Sequence, residues 1–244
     1  MAEPSGTEGD LNYKLLSVLV PVYNERNTVG EILRRMRVVR LPAGIDVEIV
    51  VVDDGSTDGT AKVLDAVEDS TVRVLRHAVN RGKGASIRTG LERARGDLVL
   101  IQDADLEYEP ADWPALLAPV LRGRAKVVYG TRFLGERHTM PLVEHLANRL
   151  LTTAADLLYN TNLSDLQTGY KLFDRTVLDA ITIESDGFDF EPEITAKVLR
   201  AGVGIYEVPI AFSGRARNEG RKFTGADTAR ALRALVRHRF GSSA

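Results

Sequence analysis

Asp103 and Asp105 stand one residue apart, directly after the apolar run Leu98 to Ile101. In extended geometry alternate side chains point the same way, so these two carboxylates face one point. A hard divalent cation suits such a pair: Mg2+ and Mn2+ take oxygen ligands and commonly combine one or two carboxylates with substrate phosphates. A nucleotide diphosphate would supply those phosphates, and the ion would neutralise charge building on the diphosphate as it departs.

Two other apolar runs end in comparable residues. Leu15 to Val22 leads into Tyr23-Asn24-Glu25, and Val47 to Val52 leads into Asp53-Asp54-Gly55-Ser56-Thr57-Asp58-Gly59. Carboxylates gathered at neighbouring strand ends repel one another unless a cation or hydrogen-bond donors join them. Taken singly, each also reads as a turn residue or helix cap. Asn80-Arg81-Gly82-Lys83-Gly84 precedes a helical stretch and reads either as a phosphate cradle of backbone N–H groups or as a structural turn. His77, His138, His145 and His238 are scattered without ligand spacing, and none is assigned a metal. Asp189, Glu191 and Glu193 read either as general bases or as structural acids.

The elements that must position these groups follow a strand–helix alternation. Continuous, β-branched runs recur at Leu15 to Val22, Val47 to Val52, Val72 to Leu75, Leu98 to Ile101 and Val127 to Tyr129, with helix-like segments between them. Continuous rather than alternating hydrophobicity marks parallel strands covered on both faces, so the fold class is α/β, an open, mostly parallel sheet flanked by helices. Ligands bind such sheets at the carboxyl ends of the strands, where the acidic residues lie. Further on, Leu142, Val143, Leu146, Leu150, Leu151, Ala154, Leu157 and Leu158 recur at helical spacing and predict a helix packing one long apolar face on the core. Short strands are expected at Gly169 to Phe173 and Val203 to Val208, with a helix over Glu193 to Arg200 between them. No linker divides the halves, so one domain is expected.

Composition narrows the function classes. The chain has 244 residues, 44% of them hydrophobic, and no cysteine. Its length allows a sizeable core, and the lack of thiols excludes disulfides, zinc–thiolate and iron–sulfur sites and a cysteine nucleophile. The longest apolar run falls far short of the ~20 residues that span a bilayer. The opening MAEPSGTEGD reads as a polar, disordered leader and not a signal peptide, which fits a cytoplasmic protein. A net charge of −2 conceals an asymmetry: residues 211–240 carry +6 and the remainder −8. That balance argues against a nucleic-acid binder and for a local anionic partner near the C-terminal end.

The ordered motifs VPVYNE, VVDDGSTDGT, NRGKGASIRTG, DADLE and YGTRF over residues 18–133 resemble the family 2 glycosyltransferases of GT-A fold, a Rossmann-like single domain. The later segments QTGYKLF, FEPEI and GRARNEGRK resemble the branch that makes polyprenyl-phosphate sugars, the dolichyl-phosphate mannose and glucose synthases. The resemblance implies a leader at 1–14 and a catalytic domain at 15–244, with a nucleotide-sugar half at 15–135 and an acceptor half at 136–244 that contains the basic loop and the C-terminal helix. It implies a GDP- or UDP-sugar donor, with Pro21, Tyr23 and Glu25 around the base and ribose, Asp53 on the base edge and Asp54 beside it. Asp103 and Asp105, with Ala104 between them, would hold the metal diphosphate (Mg2+ or Mn2+), and Glu107 would be a further metal-side ligand. Arg132 would meet the acceptor phosphate, while Arg215 and Lys222 would close over the donor. Lys83 is counted with the substrate-binding residues.

Acceptor chemistry separates two readings. A sugar hydroxyl needs a base to lose its proton, whereas a phosphate monoester with second pKa near ~6 is already mostly dianionic at neutral pH. A polyprenyl phosphate therefore needs cations, for which Arg132, Arg149 and Lys171 are candidates. A hydroxyl acceptor on a glycan or small molecule would instead use Glu191 or Asp189. A nucleotide-sugar-binding subunit without turnover is the third reading, and the intact DADLE motif speaks against it. Ala229, Leu232, Leu235, Val236 and Phe240 share a helical stripe beside Arg230, Arg233, Arg237 and Arg239. This basic C-terminal segment reads either as a membrane-surface contact on the cytoplasmic face or as a helix docked on the domain.

Overall fold

Five consecutive residues of the first apolar run, Leu16 to Val20, are buried, because helices cover the sheet on both sides. In the computed structural model, which describes residues 13–134, 141–214 and 225–241, the strands are β1 (Leu15–Val22), β2 (Asp46–Asp53), β3 (Val72–Arg76), β4 (Leu98–Ile101), β5 (Val127–Thr131), β6 (Lys171–Asp174) and β7 (Ile205–Pro209). They form one sheet in the order β3-β2-β1-β4-β6-β5-β7. β1 pairs in parallel with β2 and β4, and β6 runs antiparallel between β4 and β5.

The helices are α1 (Val29–Arg37), α2 (Thr60–Asp65), α3 (Lys83–Leu91), α4 (Trp113–Leu121), α5 (Leu142–Tyr159), α6 (Arg175–Asp179), α7 (Phe190–Arg200) and α8 (Gly225–Phe240). Alternation along β1 divides the core. Val18 and Val20 join Ile32 of α1 and Leu116 of α4 on one face, whereas Leu19 joins Ile87 of α3 and Ile194 of α7 on the other. A smaller cluster of Leu151, Ala155, Leu166, Ala196, Ala231 and Leu235 holds α5, α7 and α8 together.

The orientation of α5 differs from the sequence expectation. Its buried residues are Asn148, Leu151, Thr152 and Ala155, whereas Leu142, Val143, Leu146, Leu150 and Leu157 are 54–82% exposed. The cause is hydrogen bonding: Asn148 Oδ1 accepts the Gln167 N–H at 3.1 Å, and Thr152 Oγ1 accepts the Leu166 N–H at 3.2 Å. Burying the leucines instead would strand those backbone donors, at roughly 1–3 kcal/mol each. In α8, Ala231, Ala234, Leu235 and His238 are buried and Leu232, Val236 and Phe240 are exposed, so the helix docks on the domain through only Leu235 of its expected stripe.

Candidate active site

The carboxyl ends of β1 and β4 lie side by side where the strand order reverses, the place where open α/β sheets bind ligands. The loops beyond them open a cleft of about 890 Å³. Pro21, Tyr23 and Glu25 line it after β1, Asp54 after β2, Asp103, Ala104, Asp105 and Glu107 after β4, and Arg132 after β5. Lys83, Asn148, Gly169 and Glu191 face the same space.

The aspartate loop is braced from below. Gln102 is fully buried; its Oε1 accepts the Trp113 indole N–H at 3.1 Å and the Tyr170 hydroxyl at 2.5 Å, while its Nε2 donates to the Asp103 carbonyl at 3.2 Å. Asp105 Oδ1 accepts the Glu107 N–H at 3.1 Å. Tyr108 Oη accepts the Gly169 N–H at 2.8 Å, and a Cβ on Gly169 would stand 2.3 Å from Asp103 Oδ2. Only glycine lets this segment lie against the carboxylate.

A cation already sits among the acids. Lys83 Nζ is 2.8 Å from Asp103 Oδ1 and 2.9 Å from Glu191 Oε1. Burial alone would lower the Lys83 pKa; the Asp103 and Glu191 carboxylates outweigh it and hold the amine above its ordinary value. Local backbone geometry sets this position. Gly82 has φ +102°, and a Cβ there would meet the Asp186 carbonyl at 2.3 Å, so the glycine loop docks backbone to backbone on residues 185–187. Asp54 fixes the same loop by accepting the Arg81 N–H at 2.9 Å and the Gly82 N–H at 2.7 Å, with His77 Nδ1 at 2.6 Å.

Beyond β5, Arg132 forms a fork with fully buried Asp165: Nε to Oδ2 and Nη2 to Oδ1, both at 2.7 Å. Asn148 Nδ2 donates to the same Oδ1 at 3.0 Å, and Glu207 accepts the Ser164 and Asp165 N–H groups at 2.9 and 3.1 Å. Burial works against the Arg132 charge, and the Asp165 carboxylate at 2.7 Å opposes that effect, so the guanidinium stays protonated. Its Cζ lies 5.2 Å from the centre of the Phe212 ring.

Four groups stand elsewhere than the sequence places them. Asp53 is buried, accepts the Ser56 N–H at 3.0 Å and does not line the cleft. Arg149 faces a neighbouring cavity of about 410 Å³ that shares Asn148 with the cleft. Lys171 is buried and donates to the Leu166 and Thr168 carbonyls, and burial lowers its pKa to about 8, so it does not reach the cleft. Asp189 is likewise not among the lining residues. Arg215 and Lys222 lie outside the described residues.

The model of the glycosyl transferase family 2 domain matches residues 17–182. The chain belongs to glycosyl transferase family 2. This glycosyltransferase is 33% identical to the undecaprenyl-phosphate mannosyltransferase of Micrococcus luteus over 218 residues, 85% of this chain and 87% of the relative. It is 30% identical to the low-salt glycan biosynthesis hexosyltransferase Agl6 of Haloferax volcanii over 203 residues, which span 82% of this chain and about half (48%) of Agl6. Among solved structures, the glucosyl-3-phosphoglycerate synthase of Mycobacterium tuberculosis in complex with UDP superimposes with a TM-score of 0.71 at 24% identity, over 93% of this chain and 80% of that one. This likeness speaks for the GT-A fold.

Sequence reading of the glycosyltransferase did not single out Gln102, Tyr108, Asn148, Asp165 or Glu207. One signal was available: Asn148 occupies the same helical face as Leu151 and Ala155, and an amide buried among apolar residues calls for a partner. Asp165 is a single carboxylate in an unpatterned segment, and Glu207 is a lone polar position within the expected Val203 to Val208 strand; neither gave such a signal.

Proposed function

We propose that this glycosyltransferase moves one hexosyl residue from a nucleotide diphosphate sugar, of GDP or UDP type, to a polyprenyl phosphate at the cytoplasmic membrane face, with Mg2+ or Mn2+ as cofactor. The single observation that carries the acceptor reading is the state of Glu191, the cleft carboxylate that a hydroxyl acceptor would need as base. It is ion-paired with Lys83 at 2.9 Å, whereas Arg132 supplies the fixed cation that a phosphate acceptor needs. The M. luteus undecaprenyl-phosphate mannosyltransferase supports the same acceptor class. Complexes of the mycobacterial synthase with UDP-glucose, Mg2+ and Mn2+ support the donor class and the cofactor.

The donor set fits a hard cation, being all carboxylate oxygen, and the Lys83 ammonium between Asp103 and Glu191 marks a point where positive charge is stabilised. Asp103, Asp105 and Glu107 would hold the ion, which when bound neutralises charge on the departing nucleotide diphosphate. Pro21, Tyr23, Glu25 and Asp54 border the nucleoside end of the cleft, and Lys83 adds a cation beside the phosphates. Arg132 orients the acceptor phosphate. One of its oxygens attacks the anomeric carbon and forms the new C–O bond. The bond from that carbon to the diphosphate breaks with its electron pair on the leaving oxygen, and the anomeric configuration inverts.

Glu191→Gln tests the base-free step, because the amide oxygen keeps an acceptor for Lys83 but cannot take a proton. Loss of a general base costs about 10²- to 10⁴-fold. The expected result is a transfer rate within about tenfold of the native rate. A loss in the general-base range, with nucleotide binding intact, would favour a hydroxyl acceptor.

A further inference from the structure

We propose that the outward faces of α5 and α8 together form a surface that seats the enzyme on an anionic lipid bilayer, with the mouth of the cleft at its edge. The inference rests on the acceptor reading for its purpose and on separate observations for its location. Leu142, Val143, Leu146, Leu150 and Leu157 of α5 are 54–82% exposed, a run of large apolar side chains that a water-facing helix seldom carries. Leu232, Val236 and Phe240 of α8 are 36%, 43% and 74% exposed. The two sets are neighbours, since α8 packs along α5. The Tyr159 hydroxyl donates to the Leu235 carbonyl at 2.7 Å, and Arg239 Nε donates to the Leu158 carbonyl at 2.7 Å.

The charge pattern selects the occupant. No exposed residue of either helix is acidic, while Arg149, Arg230, Arg233, Arg237 and Arg239 are all exposed. The acids on these helices are turned away: Glu144 lines the cleft, Asp156 accepts the Leu163 N–H at 2.8 Å, and buried Asp227 pairs with Arg230. Arg237 also lies 3.6 Å from Glu184, which belongs to neither helix, so the flanking positive charge rests mainly on Arg149, Arg233 and Arg239. Apolar side chains flanked by these arginines match the boundary between acyl chains and anionic headgroups. A second copy of the chain on a two-fold axis would instead set arginines against arginines. The surface is also continuous with the site, because Glu144 and Asn148 on the first turns of α5 line the cleft. Among the described residues no helix is long and apolar enough to cross a membrane, so the contact is one that lies on the surface.

The test uses the full chain and vesicles of phosphatidylcholine with or without phosphatidylglycerol, free of polyprenyl phosphate and sugar nucleotide. The native chain should co-sediment with the anionic vesicles, less so at high salt. Leu150→Glu combined with Leu157→Glu should weaken that binding about tenfold or more. Arg233→Ala and Arg237→Ala should each cost about fivefold, only on anionic vesicles. All variants should keep the native melting temperature and nucleotide–metal affinity. Native-like vesicle binding by the double leucine variant would overturn the proposal, as would a native dimer that the same variant converts to monomer. Transfer to detergent-dispersed polyprenyl phosphate is scored in parallel. For the native chain, transfer without vesicle binding would remove the docking surface alone, and vesicle binding without transfer would remove the acceptor reading alone.

Discussion

Asp105→Asn is expected to leave the protein folded and to lower turnover by about 10²- to 10³-fold, the equivalent of roughly 3–4 kcal/mol of transition-state stabilisation. The fold should survive because the hydrogen bond that Asp105 accepts within its own loop, from the Glu107 N–H at 3.1 Å, can be kept by the asparagine oxygen. The replacement also removes one charge from a crowded set of carboxylates, which relieves repulsion among them. What it removes is the charge that complements a divalent cation. Titration of Mn2+ and nucleoside diphosphate into both proteins reads this directly. The native chain should bind the nucleotide more tightly with metal than without, and the variant should lose that difference. Equal metal-linked affinity in the two would take Asp105 out of the metal site.

The second large effect is expected at Arg132. Alanine is a poor probe, because it would leave fully buried Asp165 without its partner at a cost of about 3–5 kcal/mol of stability. Arg132→Lys keeps a positive charge near Asp165 but cannot reproduce the fork of Nε and Nη2 at 2.7 Å each, nor place a guanidinium 5.2 Å from the centre of the Phe212 ring. Loss of an oriented, charge-assisted contact to the acceptor phosphate, worth about 1.5–3 kcal/mol, should reduce kcat/KM for the acceptor by about 10- to 100-fold. Donor affinity should change by no more than about twofold. Asp165→Asn should act in the same direction, since it frees the guanidinium from its orienting partner. Parallel losses on donor and acceptor would show that Arg132 serves the cleft as a whole.

The acidic strand ends were legible in the sequence because chain direction and hydrophobicity suffice to find them. A polar residue that follows a buried parallel strand emerges at the carboxyl edge, and Tyr23, Asp54, Asp103 and Asp105 all line the cleft. The sheet was legible for the same reason, apart from the orientation of β6. Lys171–Asp174 reads as a buried strand whichever way it runs, and its antiparallel place between β4 and β5 depends on pairing that no local pattern encodes. The partner of Arg132 was hidden in the same way, since Asp165 is 33 residues away. The outward leucines of α5 mark a deeper limit. Periodicity shows that a helix has an apolar face but not which face points inward, and here two polar side chains that bond the 166–167 backbone decide it.

The central claim is that the acceptor is a phosphate whose nucleophile needs no base and whose charge is met by Arg132. The most direct measurement offers the purified chain a labelled sugar nucleotide with Mn2+ and, in separate detergent dispersions, a polyprenyl phosphate and the polyprenol of the same length. The account predicts label in the organic phase with the phosphate, none with the alcohol, and loss of transfer when the metal is chelated. Transfer to the alcohol at a comparable rate, or label recovered only in water-soluble glycan with both lipids untouched, would contradict it.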